Sequence, residues 1–116
     1  MRIGLPKEIK NHEYRVGLTP ASVRELCAHG HSVLVQSGAG AAIGLSDALY
    51  QSAGATVAAD AAEVFGWADM IVKVKEPQPQ EYAMLRPGQI LYTYLHLAPD
   101  PEQTRALIKS GAVCIA

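Results

Sequence analysis

Three side chains in this sequence are suited to handling a small charged substrate: the guanidinium of Arg15, the ammonium of Lys75 and the imidazole of His96. A guanidinium fork matches a carboxylate bidentately. An ammonium binds a carboxylate or polarises a carbonyl oxygen, and an imidazole exchanges protons near neutral pH. Together they describe a site for a small oxo or amino acid, with His96 available as general acid or base.

Each has an ordinary reading beside the functional one. Lys73 and Lys75 fall on one face of a strand. At a sheet edge they would snorkel into water while Val72 and Val74 pack inward. Lys75 suits a ligand role better than Lys73 because it is nearer the strand end. A lone histidine between Leu95 and Leu97 is by default partly buried and bonded to backbone, but a strand end beside a loop is where function concentrates. Most arginines in polar loops are solvated, yet Arg15 follows the first strand and can reach the same crevice. His12, His29 and His31 lie in a polar loop or around a helix end and look ordinary.

The elements that must position these residues alternate along the chain. Arg2 to Leu5 reads as a strand cut off by Pro6, followed by the charged run K-E-I-K-N-H-E-Y-R. Thr19-Pro20 is an N-cap with proline at the first helical position, and a helix runs from about Pro20 to His29. Ser32 to Gln36 is a second strand, and Ser46 caps a short helix through Leu49 and Tyr50 that ends near Gly54. Thr56 to Ala58 is a weak strand, and Asp60 to Glu63 has capping-box spacing before another short helix.

Met70 to Val74 and Gln89 to Leu95 are apolar runs bounded by prolines and glycine, so both read as strands, closed by Lys75 and His96. One or two helical turns at Glu81 to Leu85 separate them. Asp100-Pro101-Glu102-Gln103 combines an N-cap, an N1 proline and a capping-box glutamine for a helix ending at Gly111. Ala112 to Ile115 is a last strand. Connections of this length exclude hairpins and require right-handed crossovers. The expected fold is therefore α/β, a doubly wound, mostly parallel sheet, with ligands handled outside the carboxyl ends of its strands.

Composition narrows the class further. The 116 residues are 49% apolar and 18% charged, with 10 basic against 11 acidic side chains, which gives no sign of a nucleic-acid or anionic-membrane partner. One domain spanning 1–116 is expected, with a core of its own. The start lacks the apolar run of a signal peptide and no window reaches the ~20 apolar residues of a membrane span, so a cytoplasmic location is expected. Cys27 and Cys114 read as reduced thiols, and no cysteine–histidine metal cluster or serine elbow is present. Gly38, Gly40 and Gly44 follow a strand and precede a helix, but Ile43 stands where a dinucleotide fingerprint needs its third small residue. A tight structural loop is the better reading, so no cofactor-binding residue is assigned. The chain stops on its last strand with no closing helix, which points to a domain whose continuation lies elsewhere.

The motifs M-R-I-G-L-P-K-E-I-K-N-H-E-Y-R-V-G-L-T-P, H-S-V-L-V-Q-S-G-A-G, A-D-M-I-V-K-V-K-E-P and G-Q-I-L-Y-T-Y-L-H-L-A cover the chain's length. They resemble the N-terminal part of the alanine dehydrogenases, in the family these share with transhydrogenase alpha subunits. V-K-V-K-E-P and Y-L-H-L-A point to the dehydrogenase branch. The resemblance implies a Rossmann-like substrate domain of an NAD-dependent enzyme that interconverts L-alanine with pyruvate and ammonium. In it Arg15 and Lys75 would hold the substrate's carboxylate and oxo group, and His96 would be the proton donor and acceptor. It further implies that NAD is bound by a later domain, that the full-length enzyme is a homohexamer, and that these residues alone are inactive. A stand-alone oxo-acid-binding or interaction module, and a transhydrogenase alpha subunit, are the alternatives.

Overall fold

The computed structural model describes all residues 1–116 and contains six strands, every pairing parallel. The strands are β1 (Arg2–Leu5), β2 (Ser32–Gln36), β3 (Thr56–Ala58), β4 (Met70–Val72), β5 (Ile90–Tyr92) and β6 (Val113–Ile115), in the spatial order β3-β2-β1-β4-β5-β6. The chain builds outward from β1 to β3 and then crosses back to place β4 on the other side of β1. Five α-helices make the crossovers: α1 (Pro20–Ala28), α2 (Asp47–Ser52), α3 (Ala61–Trp67), α4 (Pro79–Tyr82) and α5 (Pro101–Ser110). The expected doubly wound sheet is what forms, and it is wholly parallel.

Local chemistry explains where the helices start. The side chains of Thr19, Ser46, Asp60 and Asp100 each accept a bond from the backbone N–H three residues on, satisfying a donor that has no partner inside the helix. Gly111 ends α5 at φ 71°, a left-handed conformation that glycine adopts without steric cost.

Two cores sandwich the sheet. Register alternation turns Ile3, Leu5, Val33, Val35 and Val72 to one face, where they meet Val23 of α1, Tyr50 of α2 and Ala53 at the C-cap of α2. The other face carries Leu34, Ile71 and Leu91 against Val64 and Phe65 of α3 and Leu107 of α5. Removing these side chains from water stabilises the fold by roughly 1.5–3 kcal/mol per large residue.

Four sequence expectations need correcting. The short helix α4 spans Pro79–Tyr82 and not Glu81 to Leu85. β4 and β5 end at Val72 and Tyr92, shorter than the apolar runs that contain them. β4 is central rather than at an edge, and Lys73 does not snorkel: its side chain is 1% exposed between two carboxylates. Gln103 does not complete a capping box. It is fully buried, and its amide instead donates to the Leu95 carbonyl.

Candidate functional site

β1, β4 and β5 are adjacent, and because they are parallel the loops that follow them leave from one edge of the sheet. Arg15 lies in the loop after β1, Lys75 three residues beyond β4, and His96 four residues beyond β5. The junction of β1 with β4 is where the winding reverses and neighbouring loops diverge, which opens a crevice between them. The structure thus brings the three predicted residues to one edge. No hydrogen bond or ion pair joins His96 to Arg15 or Lys75.

The β1 loop is fastened over the end of β4 by Glu8, a residue that sequence reasoning passed over. One carboxylate oxygen of Glu8 accepts the Lys75 amide at 3.0 Å, and the other accepts the Val74 amide at 3.3 Å and the Lys73 ammonium at 3.2 Å. These amides go to a side chain instead of a neighbouring strand, which is why the regular ladder of β4 stops early. Pairing with the next segment continues irregularly, through Lys73 N–H to Tyr92 O and Tyr94 N–H to Val74 O. The Thr93 hydroxyl then donates to the Lys75 carbonyl at 2.7 Å, so the backbone of Lys75 is held on both sides. Gly17 lets the loop come this close: a Cβ there would lie 3.0 Å from both Val72 Cγ1 and Val72 O.

Beneath the loop, Lys73 Nζ also stands 3.4 Å from Glu81, whose carboxyl is pushed above its ordinary value by burial, only partly offset by Lys73. The Lys10–Glu76 ion pair flanks this network. Buried charges of this kind persist only when paired. The burial of Lys73 follows from the central position of β4, which no local pattern announces.

Arg15 is exposed, and its guanidinium is already engaged. Nε and Nη2 donate to the two carboxylate oxygens of Glu13 at 3.0 and 2.7 Å, and the Arg15 backbone N–H adds a third bond at 2.9 Å. The side-chain hydrogen bond from Arg15 is the main cause holding the Glu13 carboxyl down at about 2, with a smaller pull from the nearby Lys75 charge. Glu13 therefore lies within electrostatic reach of both cations.

His96 is exposed and adopts φ 50°, one of only two non-glycine residues with positive φ, the other being His12. A left-handed non-glycine residue costs about 1–3 kcal/mol and persists only where its surroundings enforce it. Next to it, the Gln103 amide donates to the carbonyl of the preceding residue, Leu95, at 2.9 Å. The partly buried, backbone-bonded histidine of the ordinary reading is not what forms.

A cleft of about 410 Å³ opens between the β1 loop and the ends of β4 and β5, lined by Val16, Gly17, Val74 and Tyr94 among others. Arg15, Lys75 and His96 do not line it, but its walls are their near neighbours in the chain. The glycine-rich loop is closed on itself, since Asp47 accepts the Gly38 amide at 2.9 Å and the Ser37 hydroxyl at 2.7 Å. A phosphate brought to these groups would meet that carboxylate, so the loop does not fit a dinucleotide.

The strand order and the site at the β1–β4 junction define a doubly wound domain of the Rossmann type, with polar residues gathered at its switch point. The family model described as "Alanine dehydrogenase/PNT, N-terminal domain" matches residues 4–116, and the chain belongs to that family. An alanine dehydrogenase of Halomonas elongata is 55% identical over 116 residues, covering 100% of this chain and 31% of the relative. Among solved structures, an L-alanine dehydrogenase superposes with a TM-score of 0.97 at 48% identity, over 100% of this chain and 32% of that one. A transhydrogenase from Sinorhizobium meliloti superposes at 0.93 with 31% identity, over 100% of this chain and 34% of the other. The chain thus spans about a third of the length of each of these three proteins.

Proposed function

We propose that residues 1–116 are the N-terminal substrate-binding and catalytic domain of an NAD-dependent L-alanine dehydrogenase, which interconverts L-alanine with pyruvate and ammonium. The observation that carries this reading is the placement of Arg15, Lys75 and His96 after three adjacent parallel strands at one edge. Arg15 and Lys75 take the substrate's carboxylate and oxo group through charge-assisted hydrogen bonds. His96, free of other bonds and facing solvent, gives and takes the proton. The identities of 55% and 48% to alanine dehydrogenases, against 31% to the transhydrogenase, favour the dehydrogenase over its relative.

NAD is assigned to residues outside this chain, because the glycine-rich loop here is sealed by Asp47. No helix is long and apolar enough to cross a membrane. We further propose that the full-length protein is a cytoplasmic homohexamer with small molecules as its other partners.

The test uses the full-length protein and the 116-residue chain in parallel, following nicotinamide absorbance with NADH, pyruvate and ammonium. The full-length protein turns over and the isolated chain does not, since hydride transfer needs a nicotinamide held against the substrate carbon. His96→Ala lowers turnover by about 10² to 10⁴, and Lys75→Ala weakens transition-state binding by about 1.5–3 kcal/mol. A His96→Ala enzyme with unchanged turnover across the pH range would remove the proton-transfer role. A full-length protein that binds pyruvate without turnover would favour an oxo-acid-binding module.

A further inference from the structure

The proposed function leaves Glu13 of the β1 loop without a role. Glu13 is almost buried, its side chain 6% exposed, while Arg15, which it grips, is 64% exposed. Its two oxygens take Nε and Nη2, one side of the guanidinium, and its Oε2 also accepts the Arg15 amide. A guanidinium has five N–H donors in a rigid plane, so this grip leaves the Nη1–Nη2 end of the fork for a second carboxylate. Resting on the reading of Arg15 as the substrate's partner, the geometry points to Glu13 as a positioning residue: it holds Arg15 from the side, so that the substrate carboxylate meets the Nη1–Nη2 end without displacing it.

Two physical arguments favour a grip that persists over a place-holder that leaves. A substrate taking the Nε side would cost Glu13 both guanidinium bonds and leave its largely covered carboxylate with only the Arg15 amide. An exposed arginine, by contrast, has many rotamers to lose on binding. Fixing it beforehand removes that cost from the binding step. Glu13 suits the task because it stays anionic down to about pH 2. The substrate then meets a guanidinium already set in direction, on a loop that Glu8 has fastened to the end of β4.

The experiment measures KM for pyruvate, KM for NADH and kcat in the full-length protein carrying Glu13→Gln, Glu13→Asp or Arg15→Ala. Losing a positioning contact made equally before and in the transition state raises KM and spares kcat. Glu13→Gln is expected to raise the pyruvate KM about tenfold, with the NADH KM and kcat within about twofold of the parent. Glu13→Asp, which keeps the charge but shortens the reach, falls between. A lower pyruvate KM in Glu13→Gln would show that Glu13 competes with substrate and overturns the proposal. So does a fall in kcat at constant KM, the mark of a merely structural role. The Arg15→Ala arm separates the two layers: an unchanged pyruvate KM there refutes Arg15 as the carboxylate's partner, whereas a raised KM there with none in Glu13→Gln refutes only Glu13.

Discussion

On the β1–β3 half of the sheet both faces are covered, whereas in the other half the face that Val72 still buries on β4 opens to water along β5 and β6. In the first half Val33 and Val35 lie under α1 and α2 while Leu34 lies under α3, and none of the three is more than 5% exposed. In the second half Ile71 and Leu91 are sealed beneath α3 and α5, but the opposite face presents Tyr92, Tyr94, Val113 and Ile115 at 50%, 73%, 51% and 44% exposure. The cause is topological. α1 and α2 return over one face, α3 crosses to the other, and α5 stays there. The candidate site sits on the seam. The closed half supplies the Arg15 loop, and the other half supplies Lys75 and His96.

The comparison can be broken at a single pair of neighbours on β5. Leu91 points into the covered core and is 0% exposed, so Leu91→Ala leaves a cavity. The expected loss is about 2–5 kcal/mol, read from chemical denaturation of the 116-residue chain. A loss below about 1 kcal/mol would mean that the α3–α5 face collapses around the gap and is less tightly packed than it looks.

A smaller effect tests the closed half. Tyr50 is fully buried in α2 and its hydroxyl donates to the Leu18 carbonyl at 2.7 Å. Burial pushes this phenol up to about 12, above its ordinary value of 10. Because the folded value is the higher one, the neutral phenol favours the fold below pH 10. That contribution is lost as pH rises from 10 through 12. Tyr50→Phe removes the hydrogen bond at a cost of about 1 kcal/mol near pH 7. It should also shallow the alkaline fall in stability, measured as the denaturation midpoint between pH 9 and 12. An equally steep fall in the variant would assign the alkaline transition to other groups.

Element order, helix starts and the parallel sheet were legible because they rest on local signals, namely caps at Thr19, Ser46, Asp60 and Asp100 and apolar runs between breakers. The three candidate residues were legible because each follows a strand. Their supports were not. Glu8, Glu13 and Gln103 look like ordinary polar residues of a loop or a helix start. Their partners lie at Val74 and Lys75, at Arg15 and at Leu95, and only the tertiary fold shows which pairs form. The overlong strands have the same origin. Apolar patterning ran through Val74 and Leu95, but a side-chain carboxylate took the amides that a longer β4 would have used. Lys73 failed for a further reason: its burial depends on β4 being central, and strand order is not written in any local pattern.

The smallest expected effect sits one residue from the largest. Tyr92 follows Leu91 on the same strand, and alternation turns it to the open face, where it is half exposed and pairs in register with Val72 on one side and Ile115 on the other. Replacing a side chain there removes little surface that folding took from water, so Tyr92→Ser should change the stability of the 116-residue chain by no more than about 0.5 kcal/mol. The strip is nonetheless apolar and contiguous, and surfaces of this kind attract other surfaces. Chemical denaturation of Tyr92→Ser at two protein concentrations separates the cases. A change that is small at both leaves the two halves of the sheet as described. A loss rivalling that of Leu91→Ala, growing with concentration in the parent, would show that a second copy covers this face in solution and that the contrast between the halves belongs to the lone chain only.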